Sequence, residues 1–254
     1  MTVSPGFTML SLSYLAIAYC GIVIVLAYGV RGSTGFGSAA AMPLLALVIP
    51  LKVLVPVWTL LGIASSVTIV ARDYRQIALA ELLRTVPAGL AGIAAGLYLF
   101  KSLDTRTLSQ GLGALVVLYG CYALWTTTRP PAKPRSSRLL APVAGFLGGA
   151  VGTAFGTMAS IFYAIYFDAI RLAKEHFRAT MSAMMLTLSV VRGAGYFAVG
   201  EFGRDALIAF AFAFPMMLLG IFIGDRFHGD MDETTFRRVI AAVLVVSGVA
   251  LMVK

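Results

Sequence analysis

Two glycine-rich stretches hold the residues best suited to binding a ligand. They are Arg31-Gly-Ser-Thr-Gly-Phe-Gly-Ser38 and Ala150-Val-Gly-Thr-Ala-Phe-Gly-Thr157. A helix that starts inside an apolar medium presents unpaired backbone N–H groups and the positive end of its dipole. Gly35, Gly37 and Gly156 would let a ligand approach such a backbone, while Ser33, Thr34, Ser38, Thr153 and Thr157 add hydroxyl donors. Donors of this kind favour a small oxyanion over a cation. Phe36 and Phe155 hold equivalent places and would close over the anion from opposite sides, with ordinary core packing as the competing reading. Arg192, within Leu188-Ser-Val-Val-Arg-Gly-Ala-Gly195, is the charge most clearly embedded in an apolar segment. Its planar fork of donors suits a sulfonate, sulfite or carboxylate head group, and charges inside a membrane mark substrate pathways. The competing reading is a side chain that snorkels outward across residues 193–200. Arg31 is a cytoplasmic-end charge if the first element spans, and a midplane charge if the glycine motif is a re-entrant tip.

These residues need a membrane-spanning scaffold. Hydrophobic residues make up 59% of the 254-residue chain and charged residues 12%, against about 25% charged in soluble domains. Mean hydropathy is +0.91. Uncharged runs cover 7–30, 32–51, 53–71, 85–100, 107–128, 139–167, 206–224 and 239–253, and residues 178–200 form a further segment broken only by Arg192. A helix needs about 20 apolar residues to cross a ~30 Å hydrocarbon core, and the runs are too long for barrel strands. The fold class is therefore all-α and polytopic, with eight to ten membrane helices or half-helices and glycine-rich breaks near the midplane. The first seven residues lack a basic signal region, so the first helix is expected to stay in the mature chain.

The chain reads as a duplication. Pro87, Leu90, Gly92, Ile93, Gly96, Asp104, Thr107, Val117 and Gly120 recur at constant offset as Pro215, Leu218, Gly220, Ile221, Gly224, Asp232, Thr235, Val245 and Gly248. The expected organisation is a first repeat over 1–128, a basic, proline-rich linker over 129–138, and a second repeat over 139–254. Each half opens with two short elements around its glycine motif, followed by three fuller helices. Each half then crosses an odd number of times, so the halves are inverted, an arrangement that places a midplane site between them. Arg72, Arg75, the linker cations, Arg171, Lys174, Arg178, Arg226, Arg237 and Arg238 can all lie on one side, leaving Lys52, Lys101, Arg106 and Arg204 opposite. That bias assigns the richer side to the cytoplasm and both termini to the outside.

Other chemistries find little support. No carboxylate falls deep in an expected span, which argues against a proton relay or a carboxylate cation site. His176 and His228 are too dispersed to form a metal cluster with a thiolate, and Cys20 and Cys121 read as packing residues. No cofactor is implied. The net charge of +9 resides in short loops, so orientation in the bilayer explains it without nucleic acid as a partner. Gly145, Gly148, Gly149 and Gly152 read as helix-packing positions. Trp125, Tyr14 and Tyr19 read as interfacial or packing residues.

The chain resembles the TauE/SafE sulfite exporter family, also called the toluenesulfonate uptake permease family. The resemblance runs through Gly32-Ser-Thr-Gly-Phe-Gly-Ser-Ala-Ala-Ala-Met-Pro43, the helix with Pro87 and Gly92 to Gly96, the basic linker, the second glycine motif, and Phe177-Arg-Ala-Thr-Met-Ser-Ala183 leading to Arg192. Departures are Ser38 and Ala39 in a run the family often fills with glycine, Thr157 and Met158 in the second motif, and Arg192 where lysine is common. The resemblance implies a bacterial inner-membrane carrier for sulfur-containing anions. The expected function is alternating-access export of sulfite, a sulfonate or sulfoacetate, with the bilayer and the anion as partners, no catalytic residues, and oligomeric state left open. Export follows from energetics, because a negative cytoplasm drives an anion outward by about 2.3 kcal/mol per charge per 100 mV. The alternatives are a cation or metal transporter, a membrane enzyme, and a non-transporting scaffold subunit.

Overall fold

A computed structural model describes residues 12–34, 40–126, 140–226 and 233–253. Among them are ten α-helices and no strand: α1 Tyr14–Thr34, α2 Ala41–Ala46, α3 Leu51–Asp73, α4 Leu79–Ser102, α5 Thr105–Thr126, α6 Leu140–Phe155, α7 Ala159–Ala169, α8 Lys174–Ala198, α9 Arg204–Arg226 and α10 Glu233–Val253. A 3₁₀ turn, Tyr74–Gln76, links α3 to α4. Five helices, α1, α3, α4, α5 and α9, are long and apolar enough to cross a membrane. α8 is as long, at 25 residues, but less apolar. It tolerates serine, threonine and arginine because protein surrounds much of it: Thr180, Ser182, Ser189 and Arg192 are all buried.

The expectation of two short opening elements in each half needs correcting. The first of each pair is substantial: α1 has 21 residues and α6 has 16. Residues 14–31 contain no proline and no adjacent glycines, so nothing interrupts α1 before the glycine motif. The second of each pair is short. α2 has six residues and α7 eleven, about 9 and 16 Å, so neither crosses by itself. α6 and α7 form a hairpin. Gly152 lies on Ala159, Gly148 lies on the Tyr163 ring, and the Tyr166 hydroxyl donates to Glu81 at the start of α4. The chain thus returns to the end it left, and α8 begins there. α2 similarly folds back toward the start of α1, where the Tyr19 hydroxyl donates to the Leu44 carbonyl at 3.2 Å.

Glycines set the helix pairs and their directions. A Cβ added to Gly92 would lie 2.2 Å from the Phe146 carbonyl oxygen, and one on Gly96 would lie 2.4 Å from that of Ala150. From the other side, Gly145 faces the Thr85 carbonyl at 2.3 Å and Gly149 that of Gly89 at 2.2 Å. α4 and α6 therefore run parallel with backbones in contact, the close approach that small residues permit in membranes. α1 and α9 repeat the arrangement, with Gly220 on the Val25 carbonyl at 2.5 Å and Gly224 on that of Gly29 at 2.1 Å. α5 and α10 are antiparallel, with Gly113 on the Gly248 carbonyl and Gly120 on Val245. α3 and α8 are antiparallel too, with Gly62 facing Ser189 and Gly193 facing Thr59. α3 runs with α1, as the Tyr28–Trp58 ring contact at 5.4 Å and the Arg31–Ser66 bond require.

These pairings give every long helix a direction. α1, α3, α5 and α9 run one way, and α4, α6, α8 and α10 run the other. One end of the bundle then carries Arg75, Arg84, Arg171, Arg178 and Arg226, while the other carries Lys52, Lys101, Arg106 and Arg204. The linker lies outside the described residues, but its flanks, the end of α5 and the start of α6, are at the first end. That end is tied together by Arg178 on Asp73 at 3.6 Å, His176 Nδ1 on the Gln76 carbonyl at 2.7 Å, and the Ala78 N–H donating to Thr180 at 2.9 Å. At the other end, Asp104 caps α5 by accepting from the backbone N–H groups of Arg106 and Thr107 and from the Thr107 hydroxyl. The Thr107 hydroxyl bond is the main cause holding the Asp104 carboxyl below its usual range. The same residue types recur in the sequence as Asp232 and Thr235, and Asp232 lies outside the described residues.

Alanine at Gly92 would force α4 and α6 apart and is expected to cost about 1–3 kcal/mol, as overpacked cores do. Alanine at Gly203, where an added Cβ meets nothing within 4 Å, is expected to be neutral. Thermal melts of both variants in detergent check the difference.

Candidate functional site

The second glycine motif is a helix end followed by a helix start. α6 stops at Phe155 because Gly156 adopts φ +72°, and Met158 follows at φ +66° before α7 begins at Ala159. Both angles lie in the left-handed region, which suits Gly156 and strains Met158. Gly156 is also tightly enclosed: an added Cβ would lie 2.5 Å from the Met42 methyl carbon on α2. Thr153 and Phe155 thus sit in the last turn of α6, at its carbonyl end. The N–H groups expected of the motif belong to the start of α7.

Two carbonyls near the end of α6 accept from α8, and that of Gly152 accepts from the Gly156 N–H as well, at 3.0 Å. Arg192 Nη1 donates to the Gly152 carbonyl at 2.5 Å, and the Tyr196 hydroxyl donates to the Thr153 carbonyl. Arg192 Nη2 donates to the Ser189 hydroxyl at 3.1 Å. Arg192 is only 9% exposed, so it does not snorkel to the surface. Its Nε has no hydrogen-bond partner, and neither does the Thr153 hydroxyl oxygen. Both residues line a cavity of about 10 Å³ together with Gly148, Gly149, Ala159 and Ser189. That volume admits about one water.

Arg31 is also 9% exposed, although α1 is long enough to span. It is therefore not a solvated end charge. Its Nη2 donates to the Ser66 hydroxyl on α3 at 2.9 Å, and its guanidinium lies 5.9 Å from the Tyr28 ring centroid. Arg31 Nε and the Tyr28 hydroxyl lack partners. Among the described residues, neither Arg31 nor Arg192 has a carboxylate within 4 Å. The ion pairs found there are Arg84–Glu81 and Arg178–Asp73, both at the basic end of the bundle. A buried cation without a counter-charge is costly, so two of them create a strong demand for negative charge.

The other expected site residues are distributed as follows. Thr157 is buried within the break between α6 and α7. Phe155 packs its ring against Gly111 of α5, where an added Cβ would lie 3.2 Å away, so it belongs to the packing of α5 and not to a lid over Arg192. Ser33 and Thr34 fall in the last turn of α1. Gly35, Phe36, Gly37 and Ser38 lie outside the described residues. The packing role read for Gly145 and Gly149 is what their contacts with α4 display. Sequence reasoning missed Ser66, Ser189, Tyr28 and Tyr196. Ser189 and Tyr196 stand three before and four after Arg192, on its own helix face, and that spacing was a usable signal. Tyr28, three before Arg31, shares that spacing, while Ser66 had no signal beyond being polar within an apolar run.

The family model described as sulfite exporter TauE/SafE matches residues 20–251. The chain belongs to the TauE/SafE sulfite exporter family. This TauE/SafE chain is a multi-pass membrane transporter, and it is similar to the Probable inner membrane transporter protein TsaS of Comamonas testosteroni. The two are 23% identical over 198 residues, covering 76% of this chain and 80% of that protein. No solved structure matches it.

Removing the Tyr196 hydroxyl leaves the Thr153 carbonyl without that donor. Tyr196→Phe is expected to destabilise the protein by about 1 kcal/mol, whereas Tyr98→Phe on the exposed face of α4 is expected to be silent. Paired melting curves check this.

Proposed function

We propose that this transporter exports a small sulfur-containing anion, such as sulfite, a sulfonate or sulfoacetate, across the bacterial inner membrane. The observation that carries this reading is the buried guanidinium of Arg192, which has an unpartnered Nε, no carboxylate beside it among the described residues, and a cavity shared with Thr153 and Ser189. A planar donor fork flanked by hydroxyls fits a tetrahedral or pyramidal oxyanion. The start of α7 adds backbone N–H groups and a positive dipole end from the far side, with Gly156 and Thr157 at the break. Residues 33–38 are proposed as the counterpart motif of the first half. Binding and release need no covalent step, so the reading assigns no catalytic residue.

Transport requires the cavity to open, since about 10 Å³ is too small for any of these anions. The opposite directions of corresponding helices, α1 against α6, α3 against α8 and α5 against α10, support two inverted repeats over 1–128 and 139–254. One half rocking against the other would expose the site to each side in turn. The basic end of the bundle, with the linker, is assigned to the cytoplasm. A negative interior then drives anions out without a coupling ion.

Labelled sulfite flux into proteoliposomes is the test. Interior-positive potential is expected to drive saturable uptake, with sulfoacetate competing better than chloride. Arg192→Ala is expected to lower the flux by about 10–100-fold, the loss of a charged hydrogen bond, and Arg192→Lys to retain part of it. Unchanged flux in folded Arg192→Ala protein would remove this residue from the site.

A further inference from the structure

The Arg31 and Arg192 guanidinium groups come from opposite halves of the chain, yet their surroundings are alike. Each is nine-tenths buried, each spends one Nη on a serine hydroxyl, and each leaves Nε unpartnered. Each also has an unpartnered hydroxyl associated with it, Tyr28 one helical turn before Arg31, and Thr153 lining the cavity with Arg192. α3 connects them. Ser66, which accepts from Arg31, lies one turn beyond Gly62, and Gly62 faces Ser189, which accepts from Arg192. Both guanidinium groups are thus held along the same stretch of α3. Burying two cations is unfavourable, and one negative charge would leave the second uncompensated.

We propose that Arg31 and Arg192 act together as a charge-matched clamp that selects doubly negative anions over singly negative ones. This inference rests on the anion-export reading and refines its substrate class. Arg192 supplies the primary contact, and Arg31 supplies the second positive charge across α3. A dianion satisfies both cations, whereas a monoanion of similar size leaves Arg31 without compensation. The Arg31 site thus sets the charge of the cargo, while Arg192 sets its binding.

Proteoliposome flux of two probes with one sulfonate each separates these roles: sulfoacetate, with two charges at neutral pH, and methanesulfonate, with one. The wild-type protein is expected to carry sulfoacetate with a kcat/KM roughly tenfold or more above that for methanesulfonate, the worth of one charge-assisted contact. Arg31→Gln keeps hydrogen-bonding capacity while removing the charge, and it is expected to abolish that preference while still carrying methanesulfonate. Arg31→Lys is expected to restore the preference, a rescue that a purely structural role would not require. Equal carriage of both probes by the wild type, or an unchanged preference in folded Arg31→Gln protein, would overturn the clamp while leaving anion export standing. No flux of either probe in folded wild-type protein would instead remove the export reading on which the clamp depends.

Discussion

A helix that stops inside a membrane leaves carbonyl groups that no water can satisfy, and the architecture around the end of α6 answers that constraint. Gly156 and Met158 take left-handed angles, α6 ends, and Arg192 and Tyr196 of α8 supply donors to Gly152 and Thr153. The Gly152 carbonyl also accepts from the Gly156 N–H, so it is the Thr153 carbonyl that would lose its donor without α8, and unpaired buried backbone is what membrane proteins avoid. The same arrangement fixes where Arg192 points. Its guanidinium is anchored at Nη1 and Nη2, so Nε and the cavity beside Thr153 are held in a set geometry before any ligand arrives.

Holding α6 at that depth depends on how closely α4 can approach it. Gly89, Gly92 and Gly96 interleave with Gly145, Gly149 and Ala150 at separations that leave no room for a side-chain carbon, and α1 repeats this against α9 through Gly29, Gly220 and Gly224. Lipid tails are as apolar as leucine, so such helices gain little from hydrophobic burial and rely on packing. α1 therefore packs closely against α9, and α6 against α4. α3 and α8 lie between these pairs, and they carry the serines that hold the two arginines.

Electrostatics completes the dependence. The carboxylates that form ion pairs among the described residues lie at the basic end of the bundle, which leaves the interior positive. Arg31 and Arg192 are held by serines and a carbonyl, with the Tyr28 ring beside Arg31, groups that solvate a cation without neutralising it. An interior arranged this way disfavours a further positive charge.

Composition and run length alone dictate an all-helical membrane protein, because only a helix satisfies the backbone over twenty apolar residues in lipid. The common offset of Gly92 from Gly220 and of Gly96 from Gly224 was legible in the sequence. What these glycines do, allowing backbone contact of α4 with α6 and of α1 with α9, appears only when the helices are packed. Arg192 was recognisable as a buried charge because its segment is otherwise apolar. Its partner on α6 was not, since Gly152 is 40 residues away, as Thr153 is 43 residues from Tyr196, and each contributes a carbonyl that any residue possesses. Arg31 could not be assigned from sequence, because a charge near a helix end reads as solvated unless the neighbouring helices are known. Whether the glycine motifs open or close a helix also depended on backbone angles at Gly156 and Met158, and methionine carries no local signal for a left-handed turn. Residue types therefore determined the medium, the class and the presence of uncompensated positive charge. Tertiary packing decided which carbonyls, hydroxyls and cavity those charges meet, because contacts between distant helices are set by shape and register, which local sequence does not encode.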